Sequence, residues 1–131
     1  MKVMNNDNPH FRFEELQVYQ KSLDFVDRAY MVTESFPKTE IYNLASQFKR
    51  AAVSIALNIA EGAGDTNAQF NRFLQIAADS VKECVVCSSI AKRRNYIEKE
   101  QDFENRKSLS ELAKMIGSLQ KYLKKPVVGS Q

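Results

Sequence analysis

The sequence predicts an all-α protein, an antiparallel up-down-up-down four-helix bundle with helices over about 14–35, 40–61, 67–94 and 102–125. Three observations predict it. Apolar residues recur at alternating spacings of three and four in four separate stretches, which is the period of one buried helix face. The breaks between the first three stretches are short and carry helix-ending residues, Pro37 and then Gly62 and Gly64. No stretch reads as a strand.

Helix 1 rests on Leu16, Tyr19, Leu23, Val26, Tyr30 and Thr33, a seam suited to nearly antiparallel packing. Phe11 and Phe13 pack where the chain enters it, and Pro37 forbids its continuation. Thr39 is placed to cap helix 2, with Glu40 in the positive first turn. Gly62 and Gly64 supply the left-handed geometry that closes helix 2, and Thr66-x-x-Gln69 reads as a capping box for helix 3. Along helix 3, Phe70, Leu74, Ala77, Val81, Cys84, Ser88 and Ala91 form one seam. Phe73, Ile76, Ser80, Glu83, Cys87 and Ile90 form a second beside it. Lys92, Arg93 and Arg94 complement its negative C-terminal end. After a loop through Gln101, helix 4 begins near Asp102, or one or two turns later if Ser108-x-x-Glu111 is its capping box. Its seam is Leu109, Leu112, Ile116, Leu119 and Leu123, with Met115 and Tyr122 alongside.

At 131 residues the chain is one domain, large enough for a core without disulfides or metal. Residues 1–10 read as a flexible arm, 11–125 as the bundle and 126–131 as a fraying tail. The opening MKVMNNDNPH has no apolar export segment, and no apolar run reaches the length of a membrane span, so a cytoplasmic protein without a membrane partner is expected. The net charge is +3, but it is unevenly spread. Residues 1–65 hold seven Lys/Arg against nine Asp/Glu, a balance of −2, while residues 66–131 hold twelve against seven, a balance of +5.

Helix 2 is the most informative element. Its segment 51–60, AAVSIALNIA, is uncharged, and an apolar face of Ile41, Leu44, Phe48, Ala52, Ile55 and Ile59 is joined by Val53, Leu57 and Ala60 well away from it. A helix apolar nearly all round is buried on most sides. Between these surfaces runs a polar stripe of Gln47, Arg50, Ser54, Asn58 and Glu61, within about 80° of one another at the helical period. Such a stripe is an internal hydrogen-bond network, a ligand or nucleic-acid surface, or a subunit interface. If helices 2 and 3 are antiparallel about Gly64, Arg50 falls opposite Asp79 and Glu83, and a partly buried ion pair is expected there.

The run Gln47-x-x-Arg50-Ala51-x-x-Ser54-x-x-x-Asn58-Ile59-Ala60-Glu61-Gly62 resembles the signature of the small four-helix-bundle proteins encoded in intervening sequences of bacterial 23S ribosomal RNA genes. The resemblance extends to Phe13-x-x-Leu16-x-Val18-Tyr19-Gln20-Lys21-Ser22, to Phe36-Pro37-x-x-Glu40-x-Tyr42-x-Leu44 and to Phe70-x-Arg72-Phe73-Leu74-x-Ile76-Ala77-x-x-Ser80-x-x-Glu83. It covers residues 11–125 and implies a homo-oligomer, a ring of five, with no established enzymatic activity. The accessory factor of diversity-generating retroelements is similar, and through it the resemblance implies partners such as nucleic acid or a reverse transcriptase.

The residues themselves offer no enzyme. His10 is the only histidine, and no Ser/His/Asp set or placed pair of carboxylates is present. Cys84-x-x-Cys87 lies mid-helix without a second pair, so it reads as two buried thiols rather than a metal or redox site. The Gly62-x-Gly64 pair follows no strand and is not a phosphate loop. No cofactor is expected. The one chemical hint is basic: Lys107, Lys114, Lys121 and Lys125 share a face of helix 4 within about 40°. A row of cations at this spacing can neutralise successive phosphates, although Tyr122 is expected nearer the core and aromatic interleaving is lacking. Two functional readings follow: an oligomer that associates with RNA or DNA through helix 4, or a protein-interaction scaffold with no direct nucleic-acid contact.

Overall fold

A computed structural model describes residues 8–125, so most of the expected arm and all of the expected tail lie outside the described residues. Four helices, α1 (Gln17–Thr33), α2 (Leu44–Gly62), α3 (Asn67–Arg93) and α4 (Lys99–Lys124), pack in a cycle, each against its neighbours in sequence and α1 against α4. Cross-helix contacts fix the antiparallel directions. Ser54 meets Ser80 across α2 and α3, Gln75 meets Gln120 and Ser88 meets Asp102 across α3 and α4, and Lys21 meets Glu111 while Arg28 meets Asn105 across α1 and α4.

The core of α2 and α3 follows the first expected seam of each, but Ile41 before α2 and Ile76, Glu83 and Ile90 of the second α3 seam are exposed, because no helix of the bundle stands opposite them. Phe48, Ala52, Ile55 and Ile59 are fully buried, as are Leu74, Ala77, Cys84, Ser88 and Ala91. On α1 the core takes the neighbouring row instead. Val18, Ser22, Phe25, Ala29 and Val32 are buried, while Leu23 and Tyr30 are exposed. Both rows alternate by three and four, but only this one sets small Ser22 and Ala29 where helices must approach and aims Phe25 at Phe48, ring centroids 6.1 Å apart.

The ends also differ from expectation. Arg12–Glu15 form a 3-10 turn and Leu16 is extended, so α1 starts at Gln17 rather than 14. Lys38–Glu40 form another 3-10 turn, and α2 starts at Leu44. Thr39 does not cap α2; the Glu40 carboxylate does that work, accepting from the Leu44 N–H at 3.1 Å while its other oxygen accepts from the Tyr96 hydroxyl at 2.9 Å. Thr66 caps α3 as expected, its hydroxyl accepting from the Gln69 N–H. Helix α4 begins earlier than 102, because Glu98 and Gln101 form the capping box and leave Ser108 and Glu111 mid-helix.

The two glycines of the α2–α3 turn have separate reasons. Gly64 has φ +88°, the left-handed region. Gly62 is needed for closeness: a Cβ there would stand 2.8 Å from Phe73 Cβ and 2.9 Å from Phe70 Cδ1.

Candidate functional site

The polar stripe of α2 does not form one network. Its middle is internal: Ser80 donates to the Ser54 hydroxyl at 2.8 Å, and the Asn58 amide donates to that hydroxyl at 3.0 Å and to the Ser54 carbonyl at 2.8 Å. Its ends are not. Gln47, Arg50 and Glu61 are exposed, and the expected ion pair from Arg50 to Glu83 or Asp79 is absent among the described residues. Arg50 and Glu83 do flank one cleft, together with Ser46, Gln47 and Ser54, but their charged ends stand apart in water. Asp79 accepts instead from Gln75 on its own helix.

The apolar residues around the stripe are unevenly covered. Tyr42 is 92% exposed, Leu57 63% and Val86 56%, so α2 and α3 carry apolar surface that the single bundle does not bury. On one side of the cleft Tyr30, Val53 and Leu57 line a groove rimmed by Lys49 and Arg50; on the other, Leu44, Val86 and Ile90 line a groove rimmed by Lys82 and Glu83.

Lys107, Lys114 and Lys121 on α4 and Lys125, the extended residue just past its end, are all exposed, and none of them forms an ion pair among the described residues. Glu111, beside the row, pairs with Lys21 of α1 at 3.5 Å, so its charge is offset from elsewhere. Tyr122 corrects the expectation of missing aromatics: it is 69% exposed rather than packed by the seam. Phe103, not singled out from sequence, is 61% exposed and lies four residues before Lys107 on the same helical row. Its spacing to Lys107 was the signal for it.

A polar cluster missed in the sequence lies between α1, α3 and α4. Asp102 is buried and accepts from Ser88 Oγ at 2.7 Å and from Arg106 Nε at 3.0 Å, with Lys92 Nζ at 3.7 Å. Asn105, fully buried, donates to Ser88 Oγ at 2.9 Å and accepts from Arg28 Nε at 2.6 Å. Burial alone would raise the Asp102 carboxyl; the hydrogen bonds from Ser88 and Arg106, with the charges of Arg106 and Lys92, outweigh it and hold the group below the usual carboxylate range. Every polar atom here is spoken for, which makes the cluster a packing feature. The thiols are equally closed: burial, with Glu83 nearby, pushes Cys87 up to about 11, and burial, then Cys87 and Glu83, pushes Cys84 higher still. His10 stands exposed beside Glu14 and Glu15. Among the described residues no group of His, Cys, Asp and Glu is arranged to hold a metal, and no helix is long and apolar enough to cross a membrane.

Comparison with known proteins places this geometry in a family. The family model described as 23S rRNA-intervening sequence protein matches residues 14–118. A crystal structure of a protein of unknown function from the S23 ribosomal protein family of Bacteroides thetaiotaomicron is 27% identical, with a TM-score of 0.71, over 79% of this chain and 98% of that one. No functionally curated protein matches the chain. Neither description names a catalytic activity.

Proposed function

The chain belongs to the 23S rRNA-intervening sequence protein family, and from that premise we propose that it is a non-enzymatic, self-associating bundle that engages RNA or DNA through α4. The observation that carries this is the lysine row. Four exposed cations without carboxylate partners among the described residues stand in one line, with Phe103 on the line and Tyr122 beside it. The cations neutralise phosphates and the two rings offer stacking platforms for unpaired bases. Self-association is supported by the apolar surface left open on α2 and α3, and the ring of five implied by the resemblance is the specific assembly proposed. Repeating a modest basic face around such a ring builds a field that one copy lacks. The proposed setting is the cytoplasm, and a reverse transcriptase is one nucleic-acid enzyme that fits as a partner.

Binding to single-stranded RNA or DNA should weaken as salt rises, the slope reporting the phosphates neutralised. Replacing Lys107, Lys114, Lys121 and Lys125 by Gln should flatten that slope without changing oligomer size. Replacing Phe103 and Tyr122 by Ala should lower affinity and leave the slope unchanged, because stacking releases no counterions. A wild-type protein that shows no salt-dependent binding near about 100 mM salt sinks the nucleic-acid reading. The second reading, a protein-interaction scaffold, is favoured by Tyr42 and Val86, whose exposure has no use in phosphate contact.

A further inference from the structure

We propose that the ion pair missing inside the chain forms between copies, with Arg50 on α2 of one copy meeting Glu83 on α3 of another. This rests on the self-association read above and names the face and the charges that perform it. Two rows flank the cleft. On α2 the row is Arg50 and Leu57, exposed, and Ser46 and Val53, half-buried, with Tyr42 exposed in the turn before the helix; on α3 it is Ile76, Asp79, Glu83, Val86 and Ile90, all exposed. Each follows the spacing of one helix face, and at 1.5 Å per residue the α3 row spans about 21 Å and the helical part of the α2 row about 17 Å, with Tyr42 extending it from the preceding turn.

Their chemistry is complementary. Each row is apolar toward both ends and charged near its middle, but the α2 row carries a cation, reinforced by Lys49, and the α3 row carries two carboxylates. Arg50 is the ninth of the sixteen residues from Tyr42 to Leu57 and Glu83 the eighth of the fifteen from Ile76 to Ile90, so the two fall near the centre whichever way the rows run. Laying one row on the other covers Tyr42, Leu57, Val86 and Ile90, which the single bundle leaves at 40% exposure or more. The same contact shields the pair. A charge pair surrounded by apolar side chains is felt more strongly than one in water, and it sets register and partner choice.

Inside one chain the two groups do not do this. They flank a cleft at whose lower end α2 and α3 are held by the Ser54–Ser80 hydrogen bond, and they form no ion pair across it. The second copy is therefore the occupant that the charges select. Since every copy offers one row of each kind, both a two-fold pair and a closed ring use them in full.

The test is a charge exchange followed by light scattering over a protomer dilution series, with circular dichroism confirming the helical fold of each variant. Arg50→Glu alone and Glu83→Arg alone should each weaken assembly at least tenfold. Arg50→Gln and Glu83→Gln should weaken it less, in the same direction. The double variant should assemble again, and an equimolar mixture of the two single charge-exchange variants should recover in part, because alternating them satisfies both contacts of a two-fold pair and four of the five contacts of a five-membered ring. Rescue by the double variant with no gain in the mixture over either single variant would place the pair within one chain and overturn the proposal. A wild-type oligomer indifferent to all four single changes would overturn it while leaving self-association standing. A wild type that stays monomeric at micromolar concentration would remove both.

Discussion

Replacing Asp102 by Ala tests whether the polar cluster between α1, α3 and α4 contributes to folding as its geometry implies. Asp102 is 4% exposed, and the change removes the acceptor of the Ser88 hydroxyl at 2.7 Å in a place water does not reach. A buried donor left without a partner costs about 1–3 kcal/mol. The ion pairs lost with it are worth less, because Arg106 is 46% and Lys92 45% exposed, and half-exposed pairs contribute about 0–1 kcal/mol. Ser88 can turn its hydroxyl elsewhere, but Asn105 already donates to it and is itself fixed by Arg28, so the relief is small. The expected loss is about 1–4 kcal/mol. Denaturant unfolding at pH 7 and fixed protomer concentration measures it, with an unchanged m confirming that the folded state is comparable.

The charge adds a pH signature. The folded-state carboxyl is held below its unfolded value, so its contribution is present above the unfolded pKa of about 3.9 and is lost as pH falls through the folded one. Asp102→Asn keeps the size and an acceptor for Ser88 but removes the titration. The gap between wild type and Asp102→Asn should therefore be constant from pH 7 to about 5 and close below about pH 4. A loss under about 1 kcal/mol for Asp102→Ala, or a gap that does not change in acid, would refute the reasoning and mean that the cluster is solvated.

Two further outcomes follow from packing and burial. Gly62→Ala should destabilise by about 1–2 kcal/mol, since the new methyl meets Phe73, Phe70 and the Phe70 backbone, whereas Gly117→Ala should stabilise by about 0.5–1 kcal/mol because a Cβ there meets nothing within 4 Å; paired melts check the opposite signs. Cys87, held near 11, should react with a thiol reagent at pH 8 about 100-fold more slowly than a free cysteine, speeding up about tenfold per pH unit, and Cys84 more slowly still, as followed by mass spectrometry on the folded protein.

How far the sequence revealed the fold differed from helix to helix. The α3 seam from Phe70 to Ala91 was legible residue by residue, but of the second seam beside it only Ser80 and Cys87 are buried, and Ile76, Glu83 and Ile90 face outward. On α1 two rows compete, and ranking by apolar bulk favours Leu23 and Tyr30 over the small Ser22 and Ala29 that close packing needs. The buried cluster was hidden by its own polarity. Asp102, Asn105, Leu109, Leu112 and Ile116 continue one spacing of three and four, but a search for apolar residues stops at Leu109. Its partner Arg28 lies 77 residues from Asn105, a pairing that only the closed cycle of helices creates.

The α2 stripe shows why a correct pattern can still be assigned the wrong consequence. Its five residues do share a face, but burial along a helix is decided by what stands opposite. Where α3 offers the small Ser80, the helices close and Ser54 and Asn58 are drawn into hydrogen bonds, each worth about 1 kcal/mol. Where α3 offers Glu83, the helices leave a cleft and Arg50 stays in water. An exposed arginine adds little to the stability of its own chain. Arg50→Ala should therefore leave the unfolding of dilute protein within about 1 kcal/mol of wild type, the range of exposed pairs, while weakening assembly at higher concentration. Those two readouts separate a residue that holds the bundle together from one that holds bundles to each other. A loss of about 3–5 kcal/mol in dilute protein would return Arg50 to the interior, where its paired burial would have to be sought again.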